Sequence, residues 1–113
     1  MAVQIISLST GSLQSATAAI YTGPATLTTI IKSIRLVNKD SVPRAVNLYI
    51  TRHATNGNGD LTQRYLSPVN VTIPAGGLLI DDQEITLSAS DVISGDTNSV
   101  SANVDYCIAG IQR

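Results

Sequence analysis

The chain contains two β-rich runs joined by a short polar link: Ile30-Ile-Lys-Ser-Ile-Arg-Leu-Val-Asn38, Lys39-Asp-Ser-Val-Pro-Arg44 and Ala45-Val-Asn-Leu-Tyr-Ile-Thr51. In the second run Val46, Leu48 and Ile50 alternate with polar or amphipathic residues, and this period of two is typical of a strand with one buried face. Two such runs around a short link with a proline predict a β-hairpin. The rest of the chain is predicted to add further strands to this pair.

Lys32 interrupts the alternation of the first run. On a strict period of two, Ile30, Ile34 and Leu36 share one face of the strand with Lys32. A lysine on an otherwise apolar face indicates that this end of the strand reaches a rim or carries a β-bulge.

Short β-type segments separated by turn residues follow along the chain, and no stretch has sustained helical periodicity. About eight strands of this kind predict one all-β domain over residues 1–113, an antiparallel β-sandwich or jelly roll. The other predicted strands are Val3–Leu8, Ala18–Thr22, Leu61–Leu66, Val69–Ile73, Leu78–Ile80, Ile85–Leu87 and Val100–Ala109, with Ser9–Ser15 and Ser88–Gly95 as loops. The predicted core consists of Ile34, Leu36, Val46, Leu48, Ile50, Val71, Ile73, Leu87, Val100, Val104, Tyr106 and Ile108.

The composition limits the classes of partner. Charged residues are 13% of the 113 residues, about half the usual ~25%. The net charge is −1 and there is no basic run, so no nucleic-acid partner is expected. The N-terminus has no signal-peptide pattern, and no window approaches the roughly 18 apolar residues of a membrane helix. With one cysteine, no internal disulfide can form, which agrees with synthesis in the cytoplasm.

No complete catalytic or metal-binding set is evident, so we expect neither an enzyme nor a cofactor. His53 is the only histidine, and it fits an exposed loop better than a Ser-His-Asp site. Residues 56–60 have the alternating oxygen ligands of a calcium loop but lack the bidentate glutamate of an EF-hand, so a plain turn is the alternative. Residues 81–84 form an acidic link that fits a solvated turn better than a glycosidase carboxylate pair. Cys107 is expected to be a small, buried or half-buried hydrophobe.

Residues 1–31 contain no Asp, Glu, Lys or Arg. One interpretation is an edge strand followed by a loop. The other is an N-terminal arm over residues 1–16 that lies on a neighbouring chain, because interface cores are depleted in charge. The second interpretation predicts a homo-oligomer, with a trimer favoured over a dimer. Its predicted contact residues are Val3, Ile5, Ile6, Leu8 and Leu13.

Three pieces of the sequence share a pattern with a known class of protein. They are Ile20-Tyr-Thr-Gly-Pro24 with the run from Thr28 to Asn38, Val71-Thr-Ile-Pro-Ala-Gly-Gly-Leu78, and Ile85-Thr-Leu-Ser-Ala-Ser-Asp-Val-Ile-Ser-Gly95 running on to Val104-Asp-Tyr106. This pattern resembles small virion β-sandwich proteins of tailed bacteriophages. The resemblance implies a capsid decoration (cement) protein that binds and stabilises the shell of major capsid protein, on the capsid surface of the virion. A tail, neck or receptor-binding module, including a carbohydrate-binding one, is the alternative. The resemblance supplies no catalytic residues.

Overall fold

The computed structural model describes residues 4–53, 62–98 and 103–113. These residues form ten β-strands and no helix. The strands are β1 (Ile6–Ser12), β2 (Ala18–Thr22), β3 (Thr29–Asn38), β4 (Arg44–Thr51), β5 (Arg64–Tyr65), β6 (Val71–Ile73), β7 (Leu78–Asp81), β8 (Ile85–Leu87), β9 (Val92–Thr97) and β10 (Val104–Gln112).

The strands form two antiparallel sheets that pack face to face. The first sheet has the order β1-β10-β3-β7, and β8 also pairs with β3. The second has the order β2-β9-β4-β5, and β6 also pairs with β4. Since β5 and β6 share one position and β7 and β8 share another, the ten strands fill the positions of an eight-stranded jelly roll. The predicted all-β sandwich is confirmed.

The predicted hairpin between β3 and β4 is wrong, because the two strands lie in different sheets. The link crosses from one sheet to the other and is held by the buried side chain of Asn38. Its amide nitrogen donates to the carbonyl oxygens of Val42, Ile73 and Pro74 at 2.9, 3.0 and 3.2 Å. Its oxygen accepts the backbone N–H of Asp40 at 3.0 Å. Alternation in sequence shows which face of a strand is buried, but it does not show which sheet the strand joins.

The predicted irregularity at Lys32 is a β-bulge. Ser33 is opposite Ala109, but Ile31 is opposite Gly110, so Lys32 is the extra residue on β3. Because of this extra residue, the side chains before the bulge point to the opposite faces of the sheet from those that strict alternation predicts. Ile31 is therefore fully buried, and not Ile30, which was expected to share a face with Ile34.

Most of the predicted core is confirmed. Nine of the twelve residues are buried: Ile34, Leu36, Val46, Leu48, Ile50, Ile73, Leu87, Val104 and Ile108. Val71 and Tyr106 are half-buried and pack against the core, and Val100 lies outside the described residues. The core also includes Leu13, Ile20, Ile31 and Ile93, which the prediction left out.

Two segments predicted as loops are strands. β1 extends to Ser12, and residues 92–97 form β9 between β2 and β4 in the second sheet. Gly95 allows β9 to approach the core, because a methyl group there would come within 2.8 Å of the Leu13 side chain. Of the predicted strand 61–66, the described residues 62–66 contain the strand Arg64–Tyr65, and the strand predicted from Val69 begins at Val71.

Candidate interaction surface

The predicted contact residues are divided between the surface and the core. Ile5 and Ile6 expose 61% and 42% of their surface, whereas Leu8 is half-buried and packs against the core. Leu13 is 1% exposed, and its backbone N–H donates to the carbonyl oxygen of Val104 at 2.8 Å. Val3 lies outside the described residues. Of the described contact residues, Ile5 and Ile6 are the ones that a partner can reach.

The segment predicted as an N-terminal arm belongs mostly to its own domain. Residues 6–12 form β1, which pairs with β10 from Ile6 opposite Gly110 to Ser12 opposite Asp105. Leu13 then enters the core, and the carbonyl oxygen of Gln14 accepts the N–H of Thr97 at 2.9 Å. Deleting residues 1–16 would therefore remove an edge strand and a core leucine, so point substitutions are the better test of an interface.

Ile5 and Ile6 border a shallow groove on the outer face of the first sheet. We call this the N-terminal surface, which is lined by Ile5, Ile6, Ser33, Arg35, Cys107 and Ala109. Cys107 points away from the core because Ile108, the next residue of the strand, is 1% exposed. Its thiol is exposed, so the expectation of a buried or half-buried cysteine is wrong.

A second groove lies at the opposite edge of the sandwich, between the sheets. We call this the acidic groove, which is lined by Leu48, Leu66, Leu79, Ile80, Asp81 and Asp82. Leu78 and Ile80 in β7 expose 54% and 47% of their surface. Residues 81–84 were predicted to be a solvated turn, and this groove was not predicted. The sequence feature that could have indicated the groove is the apolar run Leu78-Leu79-Ile80, directly before Asp81 and Asp82.

The charged side chains between the two grooves are mostly paired. Lys32 contacts Glu84, Arg44 contacts Asp40, and Lys39 lies 3.1 Å from Asp105. The pKa of Asp105 is lowered, chiefly by the hydrogen bond from the Ser12 hydroxyl (2.6 Å) and then by Lys39. The pKa of Asp40 is lowered by its hydrogen bond to Arg44.

Three charges on the groove surfaces remain outside these pairs. Within the described part of the chain, Arg35 on the N-terminal surface and Asp81 and Asp82 in the acidic groove make no ion pair.

The outer face of the second sheet carries a cluster of polar and aromatic side chains around Asp96. Tyr49 and Asn47 donate to its two carboxylate oxygens at 2.9 and 3.0 Å, and Thr17 donates at 2.6 Å. Burial, and then the bond to Asp96, raises the pKa of the Tyr49 hydroxyl. The ring of Tyr65, 52% exposed, lies 4.8 Å from the Tyr49 ring between centroids.

A buried carboxylate at one end of the sandwich ties three segments together. Asp91 has no exposed surface and accepts from Arg52 Nη1 at 2.9 Å. It also accepts the backbone N–H groups of His53 and Ser88 at 2.7 and 3.0 Å. This aspartate belongs to the sequence pattern 85–95, and its contacts hold the ends of β4 and β8 to the start of β9.

Neither a metal cluster nor a membrane helix is found in the described residues. No group of three or more His, Cys, Asp or Glu there is placed to hold a metal ion. No helix among them is long and apolar enough to cross a membrane. The calcium-loop candidate at 56–60 lies outside the described residues.

Adding EDTA is expected to leave the melting temperature of the protein unchanged, because no described site has a complete ligand set. Thermal unfolding followed by circular dichroism, with and without EDTA, measures this. A fall of many degrees that added calcium reverses would instead assign a calcium site to residues 56–60.

Comparison with known proteins identifies no family for this chain. No protein-family model matches the chain, and no curated protein matches it. Among solved structures, the chain is similar to one described as "Structure of infectious bursal disease virus Gt strain", with 9% identity and a TM-score of 0.26. The match covers 97% of this chain but only 41% of the viral chain. A likeness at this score carries no argument about fold or role.

Proposed function

We propose that the protein is a bacteriophage capsid decoration protein that binds the major capsid protein and stabilises the shell. This is a structural role without turnover, cofactor, nucleic acid or membrane. The observation that carries the proposal is an edge of the sandwich without charged side chains. β1 and β2 are the first strands of the two sheets, and both fall within the uncharged residues 1–31. The sequence resemblance to phage virion proteins supports the same role.

The β1–β2 edge has the properties of a binding surface. Ser9 in β1 donates to the carbonyl oxygen of Ile20 in β2 at 2.7 Å, so the two strands lie side by side at one edge. Exposed edge strands usually carry charges that prevent pairing with other chains, and these two carry none. Interface cores are likewise depleted in charge. Jelly-roll sheets are also a common architecture of viral capsid domains.

Adding charge to this edge is expected to weaken capsid binding at least tenfold. The variant carries Thr10→Lys in β1 and Ala19→Lys in β2, both at exposed positions. A lysine without a partner in an interface loses its hydration, and each 1.4 kcal/mol lost is a factor of about ten in affinity. The measurement is co-sedimentation with capsids of the encoding virus from which this protein is absent.

Thr72→Lys is the matched control, because Thr72 is exposed in β6 at the other edge of the second sheet. It should bind as the wild type does. Equal binding by the edge variant and this control would contradict the proposal, provided that circular dichroism shows both to be folded.

The copy number in purified virions is a second test. A number that matches the capsid sites supports decoration, whereas a small cyclic number would place the protein in the tail or neck.

A receptor-binding module of the tail is the second candidate, and the cluster around Tyr65 favours it. The exposed Tyr65 ring beside the Tyr49–Asp96 cluster offers a stacking face next to polar groups, as a carbohydrate site requires. A glycan array with wild type and Tyr65→Ala tests this. Binding that Tyr65→Ala abolishes would favour the receptor role.

A further inference from the structure

Exposed apolar side chains occur at both ends of the first sheet. Ile5 and Ile6 lie at β1, the first strand in the order of that sheet, and Leu78 and Ile80 lie in β7, the last. The acidic groove behind β7 also has an apolar floor of leucines that includes Leu66 and Leu79. The two surfaces adjoin where Arg35 in β3 is opposite Ile80 in β7. Their apolar groups can be covered together if one surface of a copy meets the other surface of a second copy.

The unpaired charges on these surfaces are complementary. Arg35 lines the N-terminal surface, and Asp81 and Asp82 line the acidic groove. None of the three makes an ion pair in the part of the chain that the structure describes. Complementary charge at the rim of a contact favours correct pairing and disfavours two surfaces of the same kind.

We propose that the partner of the N-terminal surface is a second copy of this chain, which receives it in the acidic groove. Ile5 and Ile6 pack on the leucines of the groove, and Arg35 faces Asp81 and Asp82. The two surfaces are different, so they meet either reciprocally in a two-fold dimer or head-to-tail in a ring of three or more copies. Either assembly covers both surfaces. The inference goes beyond capsid binding, because it concerns a second copy of the chain and requires only the purified protein.

Two variants with opposite charge test the contact. Ile5→Asp places a carboxylate on the leucines of the groove, and Asp82→Arg places a cation against Arg35. Each is expected to raise the dissociation constant at least tenfold, so that the variant sediments as a monomer of about 11.8 kDa. An equimolar mixture should form heterodimers, because the unchanged groove of Ile5→Asp receives the unchanged N-terminal surface of Asp82→Arg. Sedimentation velocity and light scattering measure the masses.

Val42→Asp is the matched control, because Val42 is a 44% exposed apolar residue on the β3–β4 link. It should assemble as the wild type does. The proposal is overturned if the wild type is a monomer, if either variant assembles normally, or if the mixture stays monomeric. Because no capsid is present, these outcomes are independent of the capsid-binding test.

Cys107 provides a direct readout of the same contact. It is the single cysteine of the chain, is exposed, and lines the N-terminal surface. Its reaction with a maleimide should be slower in assembled wild type than in Ile5→Asp at the same protein concentration. Equal rates in the two proteins would place Cys107 outside the contact and overturn the assignment of the N-terminal surface.

Discussion

Replacing Val104 by Asp is expected to destabilise the protein by several kcal/mol. Val104 lies in β10, at the centre of the first sheet, with no exposed surface. A carboxylate there would be buried among aliphatic side chains without a partner, at a cost of several kcal/mol. The whole free energy of unfolding of a small domain is about 5–15 kcal/mol. The change therefore removes a large part of it, and urea unfolding followed by circular dichroism at 25 °C measures the loss.

The same substitution at an exposed valine is the control. Val69 is 60% exposed just before β6, so Val69→Asp should change the free energy of unfolding by no more than about 0.5 kcal/mol. If the Val104→Asp protein is as stable as the Val69→Asp protein, then Val104 does not face the core and the other face of β10 is the buried one.

Asp91→Ala is expected to have the next largest effect, about 3 kcal/mol. The substitution leaves the guanidinium of Arg52 and the backbone N–H groups of His53 and Ser88 without this acceptor. Removing one partner of a buried ion pair typically costs ~3–5 kcal/mol. The lower value is expected here because the Arg52 side chain is 38% exposed and can be solvated. Thermal or urea unfolding gives the difference from wild type.

Glu84→Ala removes an exposed ion pair for comparison. The side chains of Lys32 and Glu84 are 32% and 59% exposed, and such pairs contribute about 0–1 kcal/mol. If Asp91→Ala costs no more than Glu84→Ala, then the Asp91 network does not hold the end of the sandwich together.

The sequence predicts strands well where one face is apolar and the other is polar. β4 and β10 have this pattern, and their core residues are buried as expected. β9 lacks this pattern, because Gly95 allows close packing and has no side chain to fill the core. Ser94 and Gly95 are also common turn residues, so this strand resembles a loop in sequence. Strand pairing was also beyond prediction, since the Asn38 contacts that send β3 and β4 to different sheets join residues up to 36 positions apart.

The interaction surface was predictable only in part. The absence of charge before Lys32 is visible in the sequence, and it identified the β1–β2 region as unusual. The sequence could not separate the exposed Ile5 from the buried Leu13, because both are aliphatic residues in an uncharged segment. The acidic groove was not predictable, since Leu48, Leu66 and Leu79 come from three separate segments.

The position of β10 also determines when the domain can fold during synthesis. β10 lies between β1 and β3, and in the first sheet β1 pairs with β10. The strand at the centre of this sheet is thus made last, and β1 has to wait for its neighbour until residues 104–112 have left the ribosome. Pairings between distant parts of a chain form slowly, on the order of milliseconds to seconds in all-β domains. During that time the uncharged β1 and β2 strands are open to other nascent chains, so the edge that we propose for binding is also a site at risk of aggregation.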